Sequence, residues 1–238
     1  MNWSHATVII LTCDRDKQLV ELAERGVRAF WPGINVSILH DRDKSAETEL
    51  PDDVRDVTRR VPFLRKIFDL PYLAPTDQLY CIDSDCFLVE EPTDWAPAAH
   101  LAVPPGSMGS VWLKQGNELL LQLGESAIDE SLIFCGGCWS ASRAEMFDPN
   151  RELAIEYVRA AVKKGYDKTK YPGPVMEQCL LNALWHKTYA DCHLSNERYP
   201  LYRPNPNMAL YHLSEIARSP AGISAIKAYR GILEGVGA

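Results

Sequence analysis

The chain has 238 residues, 46% hydrophobic and 24% charged, the composition of an ordinary globular protein with enough length for one sizeable core. Its net charge of -7 weighs against a protein that grips nucleic acid by the backbone and favours small or neutral substrates. No window reaches the roughly 18 consecutive apolar residues of a membrane span, and Met1-Asn2-Trp3-Ser4-His5 lacks the parts of a signal peptide, so a cytoplasmic protein without a membrane span is expected.

The first predicted element is a strand from Ala6 to Leu11, ending in Thr12-Cys13-Asp14-Arg15-Asp16. A helix follows from about Lys17, because Leu19, Leu22, Ala23, Val27 and Phe30 recur at helical spacing before Trp31-Pro32-Gly33 stops it. Val36 to His40 reads as a second strand, so the chain opens with a βαβ unit and implies a parallel sheet. Ligands of such sheets gather at the carboxyl ends of the strands. Ser45 to Asp56 is polar and reads as a surface connection or a short weak helix. Phe63 to Phe68 is a short apolar helix carrying Arg65 and Lys66 and closed by Leu70-Pro71.

The stretch from Leu79 to Val89 reads as one buried strand interrupted by Asp83 and Asp85. Buried strands do not take two acids without a reason. In extended backbone, residues two apart point the same way, so both carboxylates would face one small volume fit for a divalent cation. A solvated turn is the bland alternative, and the apolar residues on both sides weigh against it.

Leu101-Ala102-Val103 is strand-like, and residues 107–129 read as a loop-rich insertion with a candidate helix at Asn117 to Leu121. Leu132-Ile133-Phe134 leads into Cys135-Gly136-Gly137-Cys138-Trp139, where paired glycines in a strand-like run imply close approach by a ligand or neighbour, or a bulge. Arg151 to Lys164 is an amphipathic helix stopped at Gly165. Beyond the turn at Tyr171-Pro172-Gly173-Pro174, a helix from about Val175 to Lys187 has Glu177 and Gln178 near its first turn, where an acid also suits the helix dipole. Ala209 to Leu213 is a short strand containing His212, and a final helix lies around Ile223 to Leu233. The seven cysteines are an odd, scattered set that suits reduced thiols. Cys135-x-x-Cys138, with Cys179 or Cys192-His193 to complete it, raises a zinc or redox reading, but no second Cys-x-x-Cys exists and buried free thiols fit better.

In this order the features resemble the metal-dependent nucleotide-sugar glycosyltransferases of the GT-A fold, closest to the branch of glycogenin-like and lipopolysaccharide sugar transferases. The matching residues are Thr12-Cys13-Asp14, Arg65-Lys66, Asp83-Ser84-Asp85, Phe134-Cys135-Gly136-Gly137, Glu177-Gln178 and Tyr211-His212. They span most of the chain. After His212 the branch's usual Gly and Pro-Trp are absent, and Arg218 stands as a candidate phosphate partner in place of its lysine. The resemblance implies an α/β fold with a mixed, mostly parallel sheet flanked by helices. It would form a single domain over 1–238, with the nucleotide part at about 1–90 and the acceptor and sugar part at about 91–238.

The resemblance further implies transfer of a hexose from a UDP-sugar, with retention, to a glycan or other small acceptor, using Mn²⁺ or Mg²⁺. Asp85 and His212 would ligate the ion, and Asp83 the ion or ribose. Thr12, Cys13, Asp14, Arg65, Lys66 and Arg218 would meet the nucleotide. Gly136, Gly137, Glu177 and Gln178 would line the sugar pocket, with Glu177 and Gln178 as candidate catalytic groups. A transferase acting on a modified DNA base, an aspartate-dependent phosphatase or phosphotransferase, a sugar-1-phosphate nucleotidyltransferase and a non-catalytic sugar-binding module are the alternatives. The acidic net charge weighs against the first. The phosphatase motif belongs near the start of a domain, and Thr12 to Lys17 lacks the nucleotidyltransferase's glycine-rich loop.

Overall fold

In the computed structural model, residues 3–41, 43, 50–102, 110–190, 193–195, 197–200, 208–213 and 217–237 are described. In chain order the elements are β1 (Ala6–Thr12), α1 (Lys17–Phe30), β2 (Asn35–His40), α2 (Asp52–Arg60), α3 (Arg65–Phe68), α4 (Leu70–Leu73), β3 (Gln78–Asp83), β4 (Cys86–Leu88) and β5 (His100–Ala102). There follow α5 (Ser110–Gln122), β6 (Phe134–Ser142), α6 (Arg151–Lys163), α7 (Cys179–Thr188), β7 (Leu210–His212) and α8 (Pro220–Gly235).

The main sheet has the order β2-β1-β3-β6-β5. β1 pairs in parallel with both β2 and β3, whereas β6 is antiparallel to β3 and to β5, so β6 runs against the other four strands. β1 is buried along its whole length, as a strand covered on both faces must be. Alternation divides the core. Ile9, Leu11, Leu79, Cys81 and Trp139 pack with residues of α5, α6 and α7 on one face. Val8, Ile10, Tyr80, Ile82 and Cys138 pack with Trp3, Val27, Trp31 and Trp95 on the other. The sheet joins strands from both halves of the chain. Among the described residues, no helix is long and apolar enough to cross a membrane.

A second sheet, β4 with β7, is clamped by α8. Tyr229 of α8 donates its hydroxyl to the Leu88 carbonyl, and a Cβ on Gly26 of α1 would stand 1.9 Å from that hydroxyl oxygen. Gly26 is what lets α8 reach this depth.

Several elements differ from the sequence reading. The run from Leu79 to Val89 is two strands: the chain leaves the main sheet at Ser84-Asp85 and enters the small sheet at Cys86. Apolar residues bury equally well in either sheet, so hydrophobicity hid the break. Helix α5 covers Ser110–Gln122 rather than Asn117 to Leu121. Its Gly116 looks like a breaker but serves packing, since a Cβ there would stand 2.4 Å from Cys179 Sγ. Of the two readings of Ser45 to Asp56, a surface connection or a short helix, a helix forms at its end and runs on as α2, Asp52–Arg60, with Val54 and Val57 on its buried face. Leu70-Pro71 opens α4 instead of ending the chain's helical course, with Pro71 in the first turn, where its missing N–H is harmless.

Candidate active site

The site forms where β3 ends. Asp83 is its last residue, and Gly137 of β6 follows in register beyond the Ile82 to Cys138 pair. β4 then pairs antiparallel with β7, placing Cys86 opposite His212, and the Leu213 N–H donates to the Asp85 carbonyl at 3.1 Å. This ladder delivers the late histidine to the carboxylates. His212 Nε2 stands 3.0 Å from Asp85 Oδ1 and 3.8 Å from Asp83 Oδ2, while its Nδ1 contacts Cys135 Sγ at 3.3 Å.

Lys66 approaches from α3. Its buried ammonium is 2.7 Å from Asp83 Oδ1, donates to the Gly136 carbonyl at 3.0 Å, and lies 3.9 Å from Glu177 Oε1. Burial opposes its charge, but Asp83 and Glu177 outweigh that and hold its pKa well above the usual lysine value. Burial would likewise raise the Asp83 carboxyl, and Lys66 and His212 overcome it to hold the group below the usual carboxylate value. His212 is buried, which disfavours its cation, yet Cys135 and Asp85 keep its pKa well above the ordinary histidine value. Glu177 goes the other way. Burial dominates over Lys66, Asp83 adds repulsion, and the carboxyl is raised to about 7.

Two glycines make the space. A Cβ on Gly137 would fall 2.0 Å from Asp83 Oδ2 and 3.0 Å from His212 Cε1, and one on Gly136 would fall 2.7 Å from Glu177 Oε1. Their run is a close approach of backbone to charged side chains.

These residues fit a divalent ion. Asp85, Cys86 and His212 present donor atoms within 4.8 Å of one another, with Asp83 beside them. Carboxylate and imidazole suit Mn²⁺ and related ions. Glu177 Oε1 is buried without a hydrogen-bond partner, an acceptor left open toward the same space.

Two cavities meet at Phe63, Lys66 and Asp83. The first, about 370 Å³, is lined by Thr12, Cys13, Arg15, Asp16, Asp41, Asp85 and Arg218 among others. The second, about 530 Å³, holds Gly136, Gly137, Glu177, Gln178, His212, Trp112 and Tyr171. Thus Thr12, Cys13, Lys66, Asp83, Asp85 and Arg218 share one lobe, and the predicted sugar-side residues share the other. Arg218 also pairs with Asp16 at 2.6 Å.

Two predicted nucleotide residues lie elsewhere. Arg65 lines neither cavity: its buried guanidinium is spent on Asp69 and the His40 carbonyl, tying α3 to the end of β2. Asp14 also lies off both linings and pairs with His40 Nε2 at 2.9 Å. Glu177 and Gln178 sit in a π-helical turn, Pro174–Gln178, ahead of α7 rather than in its first α-turn. The completing ligands of the zinc reading are not brought to the Cys135-x-x-Cys138 pair: those two share one core cluster, with Cys135 against His212, while Cys179 packs in the other cluster against α5 and Cys192 is outside the described residues.

Sequence reading missed Cys86, Asp16, Phe63, Trp112 and Tyr171. Only Cys86 carried a signal, its place beside Asp85.

No protein-family profile matches the chain, and no curated protein matches it in sequence. Solved structures do match in shape. The galactosyltransferase LgtC, in complex with donor and acceptor sugar analogs, aligns over 96% of this chain and 95% of its own, with 12% identity and a TM-score of 0.56. An active-site mutant of LgtC, a glutamine replaced by glutamate, aligns with a TM-score of 0.57 and 11% identity over the same shares of the two chains. The apo glycosyltransferase GlyE of Streptococcus pneumoniae TIGR4 aligns over 97% of this chain but 62% of its own, with 12% identity and a TM-score of 0.56. This is the GT-A fold. At such identity the likeness is one of architecture, and the GT-A strand order brings the chain's own carboxylates, lysine and histidine to one end of the sheet.

Proposed function

We propose that the protein is a glycosyltransferase that moves a hexose from a nucleotide diphosphate sugar, a UDP-sugar, to a glycan hydroxyl with retention. The observation behind this reading is the convergence of Asp83 and Asp85, at the junction of β3 and β4, with His212 of the distant β7, beside the buried cation Lys66. In the transfer, the bond between the anomeric carbon and the diphosphate oxygen breaks, and the nucleotide leaves with the electron pair. The acceptor oxygen bonds to the anomeric carbon and gives up its proton to the departing diphosphate oxygen.

Each residue has a part. Thr12, Cys13 and Asp16 line the lobe suited to base and ribose, and Arg218 and Arg15 stand at the same lobe for phosphate oxygens. Lys66, fixed by Asp83 and the Gly136 carbonyl, lies where the two lobes join and where negative charge develops on the leaving group. Asp85 and His212, with Asp83, would hold Mn²⁺ or Mg²⁺, which supplies Lewis-acid stabilisation of the departing diphosphate. Glu177, with its unsatisfied oxygen, and Gln178 line the sugar lobe, where Glu177 can orient a sugar hydroxyl or balance positive charge at the anomeric carbon. The solved LgtC active-site mutant replaces a glutamine with glutamate, and Gln178 is the glutamine lining this cavity. The free thiols among the described residues suit the reducing cytoplasm.

The test is thermal stability with UDP, GDP, UDP-glucose, UDP-galactose or GDP-mannose, each with and without Mn²⁺. A ligand at a hundredfold excess over its Kd stabilises the fold by about 2.7 kcal/mol, which is about 5–10 °C in a chain of this size. A Mn²⁺-dependent rise with a uridine ligand, lost in Asp85→Ala, is expected. No rise with any nucleotide would overturn the reading.

A further inference from the structure

Four lysines fall within residues 163–171, Lys-Lys-Gly-Tyr-Asp-Lys-Thr-Lys-Tyr, a segment whose end, Lys170 and Tyr171, lines the sugar lobe. Lys163, Lys164, Lys168 and Lys170 are all exposed, and among the described residues none has a carboxylate within ion-pair distance. The acid inside the run does not neutralise them: Asp167 has a fully buried side chain and is paired with Arg60 at 2.7 Å. Position at the end of α6 favours Lys163 and Lys164 through the helix dipole, but Lys168 and Lys170 lie beyond that end and gain nothing from it. In a protein of net charge -7, this is a local reversal of sign.

The segment ends at the cavity. Lys170 and Tyr171 belong to the lining of the lobe that holds Glu177 and Gln178, and Lys170 Nζ rests 5.0 Å from the Tyr171 ring centre. Tyr171 and Phe63 are 56% and 52% exposed, so two aromatic side chains stand open to solvent at that lobe. Exposed aromatics at a cleft offer flat apolar surface to the C–H face of a sugar ring. The donor does not account for the lysines, because on the glycosyltransferase reading its phosphates have Arg15 and Arg218 in the other lobe and Lys66 where the two lobes join.

We propose that the acceptor is an anionic glycan, a sugar chain bearing carboxylate or phosphate groups. Its charged portion lies along Lys163, Lys164, Lys168 and Lys170, and its terminal sugar packs at Tyr171 and Phe63 with a hydroxyl toward Glu177. This rests on the glycosyltransferase reading. Charge complementarity of this kind speeds encounter and rejects uncharged chains.

The experiment is binding of the full chain, without nucleotide, to a microarray of neutral, sialylated, uronic-acid-containing and phosphorylated glycans. It is repeated at low and high NaCl and with the variant Lys163→Glu/Lys164→Glu/Lys168→Glu. Vesicles of phosphatidylcholine with phosphatidylglycerol run in parallel. Expected are capture by acidic glycans over neutral ones, and a loss of about tenfold or more both at high salt and in the variant. The variant must keep the UDP-dependent rise in Tm, which shows that its fold and donor lobe are intact. Equal binding of neutral glycans, binding unchanged in the variant, no glycan binding, or capture by the anionic vesicles alone would each overturn the proposal. A chain that transfers to neutral glycans would sink this inference and leave the glycosyltransferase reading standing, whereas a chain with no response to nucleotide would remove that reading itself.

Discussion

Replacing Glu177 with Gln should make the protein more stable at neutral and alkaline pH, although the residue lies at the proposed centre of function. Glu177 is 5% exposed, its Oε1 has no hydrogen bond, and Asp83 repels it, so the fold favours the protonated acid. With the carboxyl raised from 4.5 to about 7, the preference for the proton is fully present below pH 4.5 and is lost as pH rises through about 7. At about 1.4 kcal/mol per tenfold change in proton affinity, ionised Glu177 weakens the fold by about 3 kcal/mol. The amide carries no charge at any of these pH values, and its oxygen can still face Lys66. Urea unfolding of both proteins in EDTA, from about pH 5 to about pH 8, should show a gap in favour of Glu177→Gln that widens by about 2–3 kcal/mol. Parallel stability profiles would refute the argument, because they would mean that burial and Asp83 do not govern this carboxyl.

Two further substitutions test the site's construction. Gly137→Ala forces a methyl group against Asp83 and His212, and should reduce stability by about 1–3 kcal/mol and abolish the Mn²⁺-dependent rise in Tm with UDP. Both are read in one thermal-shift series, and a normal rise would show that the carboxylates tolerate displacement. Arg65→Met leaves the fully buried Asp69 without its guanidinium and should destabilise the fold by about 3–5 kcal/mol, while the UDP Kd of the folded protein, measured by calorimetry, stays unchanged. A weakened Kd at unchanged stability would return Arg65 to the nucleotide lobe.

Arg65 and Lys66 show where sequence stops being informative. They are neighbours of the same charge, and adjacent helical positions face directions about 100° apart, so one enters the cleft and the other braces β2. Nothing local distinguishes them. The opening strand, helix and strand were legible because Leu22, Ala23 and Val27 recur at one period and β1 is apolar throughout. Asp83, Asp85, Gly136 and Gly137 were legible as violations, charges and missing side chains inside apolar runs, which is how a site announces itself. The break at Ser84 was not, since both flanking segments are buried, each in its own sheet. Nor was the full length of α5, where Gly116 gives up helix propensity so that Cys179 can approach. His212 had no local signal of its own. Its role follows from a ladder between β4 and β7, a pairing that depends on contacts across more than half of the chain.

That ladder also sets a schedule. During synthesis from the N-terminus, β1, β3 and the aspartates can fold against one another long before residue 212 leaves the ribosome. Until then Asp83 and Asp85 have no imidazole beside them, and β4 has no partner strand. The nascent chain therefore presents only the pair of carboxylates, and His212 joins them in a late step of assembly.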